Sequence, residues 1–117
     1  MQLRMNTRTR DGVLIVDCIG RIVFGEESAA LRDKIKSVLS QDSKVVLNLA
    51  EISYIDSGGL GTLVALYTTA RNAGGALKLA NLTQRMDDLL QVTKLVSVFE
   101  TFPDEQSAVR SFTKEAA

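Results

Sequence analysis

The 117-residue chain is 45% apolar and 24% charged, with one proline and no low-complexity tract, a composition that supports a buried core and argues against disorder. Fourteen basic side chains balance fourteen acidic ones, which removes the field that a non-specific nucleic-acid binder needs, so nucleic acid is set aside as a partner. Histidine is absent and cysteine occurs once, which excludes a Ser-His-Asp triad, an internal disulfide and any metal site built on histidine or a cysteine cage.

In chain order, Leu3, Met5, Thr7 and Thr9 alternate with Arg4, Asn6, Arg8 and Arg10, the period of a strand with one wet face. Asp11-Gly12 suits a tight hairpin turn. Residues 13–19 read as a mostly buried partner strand ending at Gly20, with Cys18 in it as a small hydrophobe. A loop over 21–25 leads to Glu26-Glu27, acids that favour a helix N-terminus, and Leu31, Ile35, Val38 and Leu39 give that helix one apolar face. Residues 45–49 are β-branched and apolar, as in a central strand covered on both sides, and a second apolar stretch follows at 52–55.

After Asp56-Ser57-Gly58-Gly59-Leu60-Gly61, a second helix presents Leu60, Leu63, Val64, Tyr67 and Ala70 and stops at Gly74-Gly75. Leu77 and Leu79 alternate with polar Lys78 in another strand, and Thr83 caps a third helix with Met86, Leu89 and Leu90 inward. Residues 98–102 predict a last short strand, and Pro103-Asp104 opens a helix with Ala108, Val109 and Phe112 facing the core. The order ββα, then βαβαβα, predicts a single α/β domain over 1–117: an antiparallel hairpin leading into a mixed sheet with parallel crossovers. No apolar run approaches the ~20 residues of a membrane span, and the N-terminal residues lack a signal-peptide pattern. The expectation is a cytoplasmic protein without direct membrane insertion.

The segment after Ile55 spends stability. Three glycines in the opening turns of a helix cost on the order of 1–3 kcal/mol against alanine. One reading is a tight strand-to-helix turn with Asp56 or Ser57 as the N-cap. The other is a bare backbone surface with the Ser57 hydroxyl at the positive end of a helix. A phosphate there would add about −1.5 to −2 charges, which the helix N-terminus tolerates and a docked partner does not. Asp56 would orient that hydroxyl, help a kinase recognise it, or cap the turn. Rival motifs fail: Val64 replaces the third glycine of a dinucleotide fingerprint, GxxxxGK[ST] is missing, and no G-x-S-x-G elbow is present. Glu26-Glu27 and Asp87-Asp88 point about 100° apart on helices and read as solvated faces.

The run Tyr54-Ile55-Asp56-Ser57-Gly58-Gly59-Leu60-Gly61, after Val45-Val46-Leu47-Asn48-Leu49, closely resembles the signature of STAS domains, the family of bacterial anti-sigma factor antagonists. The likeness extends from the hairpin through the Gly20 loop and the Gly74-Gly75 break to the C-terminal helix. It implies a mixed sheet of four to five strands with about four helices, no catalytic activity and no cofactor. It also implies partner switching. The unphosphorylated antagonist binds an anti-sigma factor that is often a serine kinase, the kinase phosphorylates the serine matching Ser57, and a phosphoserine phosphatase reverses it. The implied interface comprises Asp56, Ser57, Gly58 and Gly59, the outer helix face at Thr62, Ala65 and Thr69, and the loop residues Val23, Phe24 and Gly25. Phe24 is either an exposed anchor or an ordinary core or lid contact.

Two departures stand out. Gly58 occupies a position where many antagonists have serine or threonine, so Ser57 alone remains as acceptor. Arg21-Ile22-Val23 replaces a GELD-like stretch, with Val23 at its acidic position. Two other functions stay open: a non-switching STAS scaffold or transport-complex subunit, and a module binding a nucleotide or small anion at the glycine corner.

Overall fold

The computed structural model describes the backbone of residues 2–116 and the side chains of residues 2–113. Strands β1 (Arg4–Arg10) and β2 (Val13–Ile22) form the hairpin, and helix α1 (Glu26–Leu39) follows. Then come β3 (Lys44–Ile55), α2 (Ser57–Asn72), β4 (Ala76–Ala80), α3 (Gln84–Val92), a 3-10 turn (Leu95–Ser97), β5 (Thr101–Phe102) and α4 (Glu105–Ala116). The five strands lie in sequence order across one sheet; β1 and β2 are antiparallel and the other neighbours are parallel. Asp11 and Gly12 both take positive φ, as a two-residue hairpin turn matched to strand twist requires.

Helices α1, α2 and α3 cover one face of the sheet, where Leu31, Ile35, Leu47, Leu63 and Leu90 meet. Helix α4 covers the other, packing Ala108, Val109 and Phe112 over Val13, Ile15, Val46 and Ala80. Each fully buried Leu, Ile or Val side chain contributes about 1.5–3 kcal/mol, so the two cores fix the register of every central strand. Cys18 lies within the first core, and desolvation pushes its thiol up to about 12, which suits a packing role.

A polar seam runs across the α4 face. Arg8 of β1 donates to Asp17 of β2 at 2.7 and 3.0 Å and also to Glu105 in the first turn of α4, which Arg10 reaches at 2.8 Å. Asn48 donates to Asp17 at 2.8 Å, and Asn81 donates to Asn48 at 2.9 Å. The hydrogen bonds from Arg8 hold the Asp17 and Glu105 carboxyls below the usual carboxylate range.

Several elements differ from expectation, each for a physical reason. Gly20 does not end β2. The strand continues through it to Ile22 with irregular register on both sides, and a Cβ at Gly20 would lie 2.0 Å from the Gln2 carbonyl oxygen. Residues 45–49 and 52–55 are one strand, because β4 pairs with β3 only as far as Asn48 while β2 pairs with it to Ile55. Past Asn48 one flank of β3 opens and the burial pattern changes.

Lys78, the polar residue that alternates with Leu77 and Leu79, is fully buried at 0% exposure beneath α4. Its Nζ donates to Ser111 at 2.8 Å, lies 3.3 Å from Glu100 and sits 4.1 Å from the Phe112 ring centroid. The final strand shortens to Thr101–Phe102: Val98 still closes the 3-10 turn Leu95–Ser97 through its N–H to Leu95 O, and β4 pairs only with Thr101 and Phe102. On α2, fully buried Leu66 joins the core, while Val64 and Tyr67 are half-buried.

Candidate functional site

The site is the corner where β3 hands over to α2. Asp56 is the N-cap: its Oδ1 accepts the Gly59 N–H at 2.7 Å, satisfying one of the orphan donors of the first turn. Both Asp56 oxygens also accept the Phe24 N–H, each at 3.1 Å. The Gly59 and Phe24 N–H groups together hold the Asp56 carboxyl below the usual range. The choice between Asp56 and Ser57 as cap is thereby made. Ser57 is the first residue of α2, exposed, and its hydroxyl makes no hydrogen bond among the described residues.

The glycines do different work. Gly59 is buried against the end of β2, where a Cβ would sit 2.0 Å from the Ile22 carbonyl oxygen. Gly58 lies under the loop, and a Cβ there would come within 2.7 Å of the Phe24 Cβ. At Gly61 a Cβ would meet nothing within 4 Å. Gly59 lets backbone approach backbone, Gly58 makes room for the Phe24 side chain, and Gly61 leaves surface bare.

The loop before α1 is held at two points. Val23 O accepts the Ser28 N–H at 3.1 Å and the Ser28 hydroxyl at 2.7 Å, and the Phe24 N–H is held by Asp56. The Phe24 ring itself is 81% exposed, so it is neither a core nor a lid contact. Beside it a groove of about 500 Å³ runs between α1 and α2, floored by Ser28, Ala29, Gly58, Gly61 and Ala65. Arg32 is the charged residue in its lining.

Of the residues singled out from sequence, Asp56, Ser57, Gly58, Phe24 and Gly25 converge on this corner, and Ala65 lies along the groove. Val23 is half-buried at the loop entrance and Gly59 lies beneath the surface. Thr62 departs from the expected outer face: it is 7% exposed, its hydroxyl donates to the Gly58 carbonyl, and only an edge reaches the groove. Thr69 is half-buried, bonds back to Ala65 O at 2.9 Å, and lies beyond the groove lining. Sequence reasoning missed Ser28, Ala29 and Arg32. Their i+3, i+4 and i+7 spacing from Gly25 was the available signal, but nothing in it said that this stripe would face α2.

Fold and corner together define an α/β domain that presents an exposed serine at a helix start, its hydroxyl without a hydrogen bond among the described residues, flanked by an exposed aromatic and a shallow groove. The family model of the STAS domain matches residues 4–108, and the chain belongs to that family. It is 27% identical over 111 residues to the anti-sigma-B factor antagonist of Bacillus subtilis, covering 94% of this chain and 100% of the relative. It is 30% identical over 105 residues to the anti-sigma-B factor antagonist of Listeria monocytogenes, covering 86% and 89%. The crystal structure of an anti-sigma factor antagonist from Mycobacterium paratuberculosis superposes with a TM-score of 0.80 at 21% identity, over 94% and 93% of the two chains. Among the described residues no helix is long and apolar enough to cross a membrane.

Proposed function

We propose that this chain is an anti-sigma factor antagonist working by partner switching. With Ser57 unmodified it binds an anti-sigma factor of the serine-kinase type, phosphorylation of Ser57 ends that binding, and a phosphoserine phosphatase restores it. The observation that carries this reading is the state of Ser57: exposed, at N1 of α2, and relieved of capping duty by Asp56. The names of the relatives support the role, and the physics of the corner supports the switch.

A phosphate at Ser57 faces the positive end of a sixteen-residue helix, an interaction worth about 0.3–1 kcal/mol at an exposed site, so the fold accommodates it. A partner lying on Phe24 and the groove meets both the added bulk and roughly two negative charges. The chain acts by binding, and the chemistry at Ser57 belongs to its partner enzymes.

The test compares Ser57→Ala and Ser57→Asp against a purified anti-sigma kinase from the same cells. Ser57→Asp is expected to bind at least tenfold more weakly, about 1.4 kcal/mol. Equal affinities would refute the switch. Recovery with a membrane transport complex, with Ser57 unmodified under all growth conditions, would replace it with the scaffold reading.

A further inference from the structure

Phe24 combines two properties that rarely occur together in a loop: the residue is 81% exposed, yet the peptide group leading into it is held at both its carbonyl and its N–H. Ser28 grips the carbonyl before it, and the Asp56 carboxylate grips its own N–H through both oxygens. An exposed aromatic on a fixed backbone is a pre-organised anchor, because a partner that buries it loses little loop entropy on binding. The residue that fixes it is the neighbour of Ser57.

We infer that Asp56 is a positioning residue that ties the state of Ser57 to the readiness of Phe24: phosphate at Ser57 loosens the Asp56–Phe24 hydrogen bonds and frees the anchor. The inference rests on the switching function proposed above and adds a second consequence of the same modification.

Two physical effects act together. The phosphate oxygens are stronger acceptors than a carboxylate and stand at the helix start, so they compete with Asp56 for the Gly59 N–H that orients its side chain. They also bring a dianion beside a carboxylate that has no ion-pair partner among the described residues, so repulsion pushes Asp56 outward. The low-lying Asp56 carboxyl agrees with this arrangement, since the two N–H groups that keep it ionised are those it would give up. Once the Phe24 N–H is released, Gly25 offers a pivot: it sits at φ +107 with nothing within 4 Å of its Cβ position. The contact between Phe24 Cβ and Gly58 then opens from the loop side.

The experiment measures amide hydrogen exchange by NMR on the full chain, unmodified and with phosphoserine incorporated at position 57. Phe24 is expected to exchange at least tenfold faster in the phosphorylated chain, while Leu47 in the core of β3 is unchanged. Asp56→Ala, without phosphate, should reproduce the faster Phe24 exchange. Should that variant fold poorly, Asp56→Asn keeps one oxygen acceptor and should give an intermediate rate. Against the anti-sigma kinase, Asp56→Ala should weaken binding in the wild-type background but cost less than twofold more in a Phe24→Ala background.

Unchanged Phe24 exchange on phosphorylation, or full additivity of the two substitutions, would overturn the inference. The exchange measurement needs no partner. A binding switch with unmoved Phe24 therefore defeats this inference alone, and loosened Phe24 with no anti-sigma binding defeats the proposed function instead.

Discussion

Gly59 and Gly61 stand two residues apart on one helix, and alanine at each should move stability in opposite directions. At Gly59 the new methyl would start 2.0 Å from the Ile22 carbonyl oxygen and 2.7 Å from its carbon, both backbone atoms. Restoring ordinary contact requires a shift of over about 1 Å between the end of β2 and the start of α2, overpacking that costs about 1–3 kcal/mol. The same shift strains the Asp56 N–H to Ile22 O bond at 3.3 Å, a further contribution of about 1 kcal/mol. We expect Gly59→Ala to lose about 2–4 kcal/mol, lowering Tm by roughly 8–16 °C for a domain of this size.

At Gly61 the methyl meets open space, so only helix propensity changes, and Gly61→Ala should gain about 0.5–1 kcal/mol and roughly 2–4 °C. Urea unfolding with unchanged slope and calorimetric Tm measure both. Because Gly61 floors the groove, the stabilised variant should also bind the anti-sigma factor several-fold more weakly. A Gly59→Ala protein within about 1 kcal/mol of wild type, or a destabilised Gly61→Ala protein, would refute the assignment of distinct tasks to the two glycines.

Three further outcomes are expected. Lys78→Met should leave stability unchanged or raise it by about 1 kcal/mol in chemical denaturation, because the ammonium is fully buried while Glu100, 41% exposed, regains its hydration; a loss above about 2 kcal/mol would contradict this. Asp17 and Glu105 have folded pKa values below their unfolded ones, so their stabilisation is present above about pH 4 and lost as pH falls through the folded values. Arg8→Met should move the acid-unfolding midpoint to higher pH, by a modest amount since Arg8 is 44% exposed. Phe24→Ala should change Tm by no more than about 0.5 kcal/mol allows, since its ring is mostly in water.

Much of the fold was legible because local signals agreed with it. The Asp11-Gly12 turn, the apolar stripes of α1 and α3 and the Thr83 cap each announce themselves within a few residues, whereas the alternation in β1 marked a strand but not its faces, since Thr7 and Thr9 are exposed and Arg8 and Arg10 reach Glu105 of α4. What stayed hidden depends on distant packing. Period two set polar Lys78 on the face opposite Leu77 and Leu79, and only the position of Ser111 and Phe112 on α4 shows that this face too is dry. The break seen between residues 49 and 52 came from reading a change of burial as an end of strand, when β4 had stopped and β3 had not. At the corner, Asp and Ser are comparably good caps, so composition could not choose between them, whereas the 2.7 Å bond from Gly59 does. Phe24 was ambiguous for a related reason: whether a loop aromatic turns inward depends on what holds its backbone, and Asp56 lies thirty-two residues away. The α1 wall of the groove was illegible because it exists only where two helices meet.

Strand β3 continues seven residues beyond its last pairing with β4, carried there by β2 alone. At about 3.3 Å per residue this ledge carries the end of β3 roughly 23 Å past the end of β4. Ser57 therefore stands at the far end of this extension, beside Phe24 and with Arg85 of α3 lying over Tyr54 on the flank that β4 leaves. Because Ser57 is already exposed at that end, access to its hydroxyl costs the domain none of its folded core.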